Sequence, residues 1–236
     1  MEKLSIAVIV PVLNEMKRLP DLMQMLAELN ADEVMIVDGE STDGSADWLS
    51  GEISKRASES GFVYCTSSPG RALQLNSGAE LCHSEILLFL HADTGIHAAS
   101  LERIRDVMQN PEVVGGRFDL NLTGTGLVFR LIEFMINLRS RLSRISTGDQ
   151  AMFVRREVFE RLGRFPNQSL MEDIELSKRL KREGSVVCLR ERITTSSRRW
   201  EKHGVMRTIV LMWKLRFLYW TGVSPGRLEK MYRHAR

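Results

Sequence analysis

Four short polar segments of this 236-residue chain each begin where an apolar run ends. They are Pro11-Val12-Leu13-Asn14-Glu15, the stretch from Asp38 through Asp43 to Ser45, Ser67-Ser68-Pro69-Gly70-Arg71, and His91-Ala92-Asp93-Thr94. A single Asp-Gly reads as a turn or a helix cap. Four polar ends at successive strands converge on one place, because ligands of open parallel sheets bind beyond the carboxyl ends of the strands. The residue types suit a phosphate-bearing ligand. Asp93 offers a hard oxygen to Mg2+ or Mn2+, and Arg71 offers a planar cationic fork to phosphate. Asp38 can accept from a base N–H or a ribose hydroxyl. No G-x-G-x-x-G follows the first run and no G-x-x-x-x-G-K-[ST] occurs, which argues against a dinucleotide Rossmann site and a P-loop.

The elements that must hold these segments alternate. Continuous apolar runs at 6–10, 34–37, 62–66 and 86–90 predict strands buried on both faces, hence a parallel sheet. Between them Leu22, Met25, Leu26 and Leu29 fall on one helical face, as do Ala72, Leu75, Ala79 and Cys82, and again Leu101, Ile104 and Met108. A further helix is expected to run from the Asp43 loop to about Ser60. Residues 113–122 predict a strand broken by Gly124. Leu127, Leu131, Met135 and Leu138 then predict an amphipathic helix studded with Arg130, Arg139, Arg141 and Arg144. Short strands are expected at 151–154, 186–190 and 193–197. A helix over 172–182 is stopped by Gly184, and a last helix is expected over 204–220. No repeat, low-complexity linker or clean domain boundary is visible.

Composition sets the bounds. The chain is 43% hydrophobic and 27% charged, with formal net charge +3, globular values that exclude disorder and give no net-charge case for a nucleic-acid partner. Ten Lys/Arg and two Glu lie between Arg198 and Arg236, leaving the first 197 residues with 23 basic and 28 acidic side chains. A basic tail on an acidic body points to an anionic partner or to a solvated face. Cys65, Cys82 and Cys188 are scattered and odd in number, which fits a reducing compartment and no disulfide framework. No signal peptide and no transmembrane run is read, so a cytoplasmic location is expected, with the inner face of a membrane as an alternative.

The strand-end segments resemble those of family-2 glycosyltransferases with the GT-A fold. The matching strings are VIVPVLNE (8–15), VDGESTDGS (37–45), PGRALQLNSGAE (69–80), LLFLHADT (87–94), FVRREVFERLGRFP (153–166) and MEDIELSKRLKREG (171–184). GDQ (148–150) and TSSRRWE (195–201) look like a bacterial radical-SAM/selenodomain-associated subgroup. The resemblance implies an α/β fold with a mainly parallel Rossmann-like sheet flanked by helices and a C-terminal helical extension. It divides the chain into a glycosyltransferase domain over 1–200, with a nucleotide-binding half to about 110 and an acceptor half from 111, and a basic amphipathic segment over 201–236.

It also implies roles. Pro11, Asn14, Glu15, Asp38, Asp43, Arg71 and His91 would line the nucleotide, with a UDP-sugar favoured as donor. The family's D-x-D metal motif stands here as His91-Ala92-Asp93, so Asp93 keeps the ligand role for Mg2+ or Mn2+, and a neutral His91 could bond the ribose or bind metal. Glu172-Asp173, otherwise a helix-start acid pair suited to the macrodipole, becomes the catalytic site. Asp173 would be the base for an inverting transfer to a hydroxyl, and Glu172 would contact the acceptor. Asp149 and Gln150 would form the acceptor floor. Arg198, Arg199 and Trp200 would meet acceptor or diphosphate, unless Trp200 plugs the core. His203 is a weaker metal candidate. The last helix carries Met206, Ile209, Val210, Trp213, Phe217 and Trp220 on one broad face. It can lie on a membrane surface, pack onto the sheet or form a homodimer contact. A non-catalytic nucleotide-sugar sensor or scaffold is the alternative, and it has no need of Glu172-Asp173.

Overall fold

The computed structural model describes residues 3–56 and 61–234. The first half runs β1 (Ile6–Val12), α1 (Leu19–Glu28), β2 (Glu33–Asp38), α2 (Ser45–Lys55), β3 (Phe62–Thr66), α3 (Arg71–Leu81), β4 (Ile86–Phe89), β5 (Thr94–Gly95) and α4 (Ala98–Met108). The second runs β6 (Val113–Leu122), α5 (Leu127–Ser143), a 3-10 turn over Gly148–Gln150, β7 (Met152–Arg155), α6 (Arg156–Arg161), α7 (Glu172–Glu183), β8 (Ser185–Thr195), α8 (Arg198–His203), α9 (Val205–Trp220) and α10 (Pro225–His234).

All eight strands join one sheet in the order β3-β2-β1-β4-β7-β6-β8-β5. The first four in that order are parallel, as are β6 and β8. β7 runs antiparallel to both β4 and β6, and β5 runs antiparallel to β8. The two halves of the chain therefore meet along β4 and β7 inside a single sheet. Side chains alternate across a strand, and β1 shows the result. Ile6, Val8 and Val10 face one core with α1 and α4, while Ala7 and Ile9 face another with α3, α6 and α7. Gly78 lets α3 approach that second face, since a Cβ there would lie 2.7 Å from Ile9 Cγ2 and 2.8 Å from Val37 Cγ2.

Several expectations are corrected. The strands read at 186–190 and 193–197 are one strand, β8. Its register jumps from Arg117 opposite Cys188 to Asp119 opposite Arg192. The exposed Glu191-Arg192 left between the two expected strands is thus an irregularity within one strand. α2 ends at Lys55, and residues 57–60, where its continuation was expected, lie outside the described residues. α8 and α10 were not foreseen. The apolar stripe of α5 faces outward: Leu127, Leu131, Met135 and Leu138 are exposed, while Ile132, Glu133 and Ser140 are buried. The aromatic face of α9 does not pack onto the sheet either, since Trp213, Phe217 and Trp220 are exposed.

The C-terminal helices are nonetheless seated. Leu215 of α9 and Leu228 of α10 pack with Met171 and Ile174 at the start of α7. Val205 and Ile209 of α9 join Leu120, Leu122 and Ile132 in a further cluster.

Candidate functional site

The ends of β1 and β2 are laced together by their own loops. Asn14 adopts a left-handed conformation (φ 55°). Its N–H donates to Ser41 Oγ at 2.8 Å, and Thr42 N donates to Asn14 Oδ1 at 2.8 Å. Met16 N donates to Asp43 Oδ2 at 3.0 Å. The Ser45 hydroxyl and the Met16 N–H hold the Asp43 carboxyl below its ordinary range. Asn14 and Asp43 therefore brace the pocket edge. Gln74 of α3 clamps the same ends, its Nε2 donating to Val12 O at 2.8 Å and Val37 O at 2.9 Å. A Cβ at Gly39 would stand 2.9 Å from the Gln74 amide and push it off those two carbonyls.

Asp38 sits at the end of β2 and is 1% exposed. Its Oδ2 accepts from Ser41 N at 2.9 Å, while its Oδ1 is buried without a hydrogen-bond partner. A buried carboxylate oxygen left unpaired is costly, and a ligand N–H or O–H would satisfy it. Pro11 lies beside Val37 in the β1–β2 register, half-buried at the same edge. Arg18, which sequence reasoning passed over, connects two of the predicted residues: its Nη1 is 3.3 Å from Glu15 and 3.7 Å from Asp93. Arg18 stands at the N-cap of α1 and reaches back three residues to Glu15, a spacing that could have flagged it.

A second network starts at α7. Met171 precedes the helix with φ 68°, and the turn buries both Glu172 and Asp173. Arg71, at the first position of α3, donates through Nε to Glu172 Oε1, and its Nη2 lies 3.9 Å from Asp173 Oδ2. Asp173 Oδ2 accepts from Gly148 N at 2.8 Å, and Oδ1 accepts from Ile174 N at 2.8 Å. His91 Nε2 is 3.2 Å from Arg71 Nη1. Gly148 closes the cluster, since a Cβ there would stand 2.5 Å from His91 Nε2 and 3.2 Å from Arg71 Nη1. Residues far apart in sequence, from the 71, 91, 148 and 172 regions, thus form one contact group.

Electrostatics follow from that geometry. Burial pushes the Asp173 carboxyl up, and the neighbouring Glu172 pushes it further, against the opposing pull of Arg71 and two backbone N–H groups. Burial and Arg71 push His91 down to about 4, so its imidazole is neutral at pH 7. Burial works against the Arg71 charge, but Glu172 and Asp173 more than offset it and hold the group above its ordinary range. Arg71 is spent on the acid pair rather than presented freely to a phosphate, and Glu172 is engaged by Arg71.

The predicted acceptor residues divide. Asp149 Oδ1 and Gln150 Nε2 are buried without hydrogen-bond partners, while Gln150 Oε1 accepts from Thr147 N and the Thr147 hydroxyl at 3.2 Å each. Trp200 is half-buried and packs against the cluster of Leu120, Leu122 and Ile132. Arg198 is exposed, and the Arg199 side chain lies outside what the structure describes. Two other arginines reach this region. Burial, followed by the charge of Arg216, pushes Arg139 of α5 down to about 10, while Asp149 and Asp173 pull it up. Burial also lowers Arg216 of α9, and the same two carboxylates oppose that. In the sequence these two are lost among many basic residues of amphipathic helices. Among the described residues no three His, Cys, Asp or Glu side chains cluster as a metal site. A divalent ion at Asp93 would find one hard carboxylate from the protein, which fits an ion whose remaining ligands are diphosphate oxygens and water.

A family model described as glycosyl transferase family 2 matches residues 7–163. No curated protein matches the chain by sequence. Among solved structures, a mannosyltransferase from Pyrobaculum calidifontis, in complex with GDP-Man and Mn2+, superposes with a TM-score of 0.72 at 19% identity, covering 100% of this chain and 69% of that one. S. aureus TarS (residues 1–349) in complex with UDP-GlcNAc superposes with a TM-score of 0.64 at 18% identity, covering 81% of this chain and 58% of that one. The same TarS fragment with UDP gives 0.64 at 18% identity, over 86% and 63% of the two chains.

Proposed function

Since this chain belongs to glycosyl transferase family 2 and has the GT-A fold, we propose that it moves a sugar from a nucleotide-diphospho-sugar to an acceptor hydroxyl with inversion, assisted by Mg2+ or Mn2+. The observation that carries the reading is the contact group of Arg71, His91, Gly148 and the buried Glu172-Asp173 pair. It joins the nucleotide-binding half to the acid pair in one place, and a binding-only protein has no use for a buried carboxylate at that junction.

Asp38 Oδ1 accepts a hydrogen bond from the base or ribose. Asp93 would hold the divalent ion, which when bound would supply positive charge beside the diphosphate. Asp173 takes the proton of the acceptor hydroxyl. The acceptor oxygen then bonds to the anomeric carbon as the bond from that carbon to the diphosphate oxygen breaks, and the bonding pair departs with the diphosphate. Each Asp173 oxygen accepts one backbone N–H and keeps acceptor capacity for that proton. A carboxyl held above its ordinary pKa is a stronger base once ionised, which suits this step. Arg71 keeps Asp173 ionised and in place. Neutral His91 holds the Arg71 guanidinium from its other side. Asp149 and Gln150, with unpartnered buried atoms, face the acceptor, and Arg139 and Arg216 supply positive charge beside them.

The GDQ and TSSRRWE strings support the radical-SAM/selenodomain-associated subgroup within the family. The halves to about 110 and from 111 serve donor and acceptor respectively, and UDP-sugars head the donor candidates. The test is a thermal-shift panel of UDP, GDP, TDP and CDP, each with Mn2+ and with EDTA. A ligand that binds only the folded state at 100 times its Kd stabilises by about 2.7 kcal/mol. The reading requires a Mn2+-dependent rise with at least one nucleotide. Folded protein that shifts with none of them overturns it.

A further inference from the structure

We propose that α5 and α9 together form a surface that seats on an anionic lipid bilayer. α9 exposes Met206, Val210, Trp213, Phe217 and Trp220 by more than half each, at spacings that put them on one helical face. α5 exposes Leu127, Leu131, Phe134 and Leu142 by more than half, also along one face. The inner sides of the two helices meet in one cluster, where Ile132 of α5 packs with Val205 and Ile209 of α9. The two outward faces are therefore neighbours. Contiguous exposed apolar area of this kind marks an interaction site.

Charge selects the occupant. α9 contains no Asp or Glu and carries Arg207, Lys214 and Arg216. α5 contains one acid, Glu133, which is buried and bonded to Leu122 N at 2.6 Å and Arg130 Nη1 at 2.9 Å. Neither helix presents a negative side chain to its surroundings. Beside Phe134 and Leu138 opens a groove of about 480 Å3, where Arg130 and Arg141 pair with Glu133 and Asp119 and where Arg190 and Arg192 also line the wall. Arg190 and Arg192 are exposed and make no salt bridge among the described residues. An apolar face rimmed by cations, with two exposed tryptophans, fits acyl chains below and anionic headgroups around them. A second copy of this chain fits poorly, because it would set two faces carrying Arg190, Arg192, Arg207 and Lys214, unpaired among the described residues, against each other. Among the described residues no helix is long and apolar enough to cross a membrane, so the contact is interfacial. Arg139 and Arg216 sit on these same helices and feel Asp149 and Asp173, which places the lipid face beside the acceptor side of the site.

The inference does not rest on the transfer reaction, and its test reads binding alone. The full chain is floated with phosphatidylcholine vesicles, with and without phosphatidylglycerol. Two variants accompany it, W213E/W220E and R190E/R192E, each checked for an unchanged melting curve. At about fivefold per cation near an anionic surface, the arginine pair should lose about 25-fold or more in partitioning. The tryptophan pair, which puts two carboxylates in place of two rings buried in the bilayer, should lose at least about tenfold. High salt should release the protein. Failure of the wild-type chain to float with phosphatidylglycerol vesicles overturns the proposal. So does flotation that neither variant weakens, or a concentration-dependent dimer that W213E/W220E abolishes while leaving lipid binding unchanged.

Discussion

Replacing Arg71 by glutamine removes the cation that faces the acid pair, and the size of the effect follows from the geometry. Arg71 Nη2 lies 3.9 Å from Asp173 Oδ2. At an effective dielectric of about 20, two unit charges at that distance interact by about 4 kcal/mol. The Arg71 side chain is 36% exposed, so solvent screening takes roughly half of it and leaves about 2 kcal/mol. At 1.36 kcal/mol per pKa unit, Asp173 should need a pH about 1.5 higher to ionise. Its carboxyl already sits above the ordinary 3.8, and the variant moves it further in the same direction. The folded state then holds a proton that the unfolded chain has released. Stability lost in R71Q is consequently small below about pH 3.8 and grows as pH rises through the raised folded value. Two assays read this. The pH profile of nucleoside diphosphate release from GDP-Man and UDP-GlcNAc, with water as acceptor, should show its acid limb moved up by about 1.5. Melting of R71Q relative to wild type should worsen from acid to neutral pH. R71K keeps the charge and should recover part of both. An acid limb that does not move, with melting equal to wild type at every pH, refutes the electrostatic coupling.

Other substitutions test separate parts of the account. Asp38→Asn removes the charge behind the unpartnered Oδ1. Titration calorimetry with UDP or GDP should show affinity down by about 10- to 100-fold, the worth of a hydrogen bond to a charged group, with folding intact. Gly148→Ala forces a Cβ to 2.5 Å from His91 Nε2, and should depress donor turnover together with a destabilisation of about 1–3 kcal/mol, read by rate and denaturant midpoint. Gly78→Val pushes α3 off β1 at Ile9 and off β2 at Val37, and should cost at least as much stability by the same overpacking argument while acting only through the fold.

The sheet was legible in the sequence because β1 and β4 are buried on both faces and read as unbroken apolar runs at Ile6–Val10 and Ile86–Phe89, whereas β3, at the sheet's edge and expected to be buried like them, leaves Val63 and Thr66 exposed. The loops after them were legible for the same reason, since a strand that ends abruptly in Asp38 or Asp93 marks its own edge. What lay hidden was long-range pairing. Nothing local to Arg71 says that its partner is 101 residues away, or that Arg18 would lie between Glu15 and Asp93. Periodicity identified α5 as amphipathic but could not say which way it faces. Its arginines and Glu133 are drawn inward to the end of β6, where Arg130 binds Asn121 Oδ1 and Leu122 O, and its leucines are left outside. β8 was read as two strands because the polar Glu191-Arg192 at its register shift interrupts the apolar pattern as a loop would. Trp200 had two roles open to it, and its packing against Leu120, Leu122 and Ile132 is a long-range contact that no local pattern announces.

The central claim is that Asp173 is the base of a sugar-transfer site, and it meets its most direct test in Asp173→Asn assayed side by side with wild type. Binding of GDP-Man and UDP-GlcNAc is measured by calorimetry, and release of nucleoside diphosphate by turnover. The account predicts that the accepted donor binds both proteins alike and that the variant's turnover falls by about 10²- to 10⁴-fold, the range of general-base catalysis. A variant that binds the donor and turns it over at the wild-type rate contradicts it.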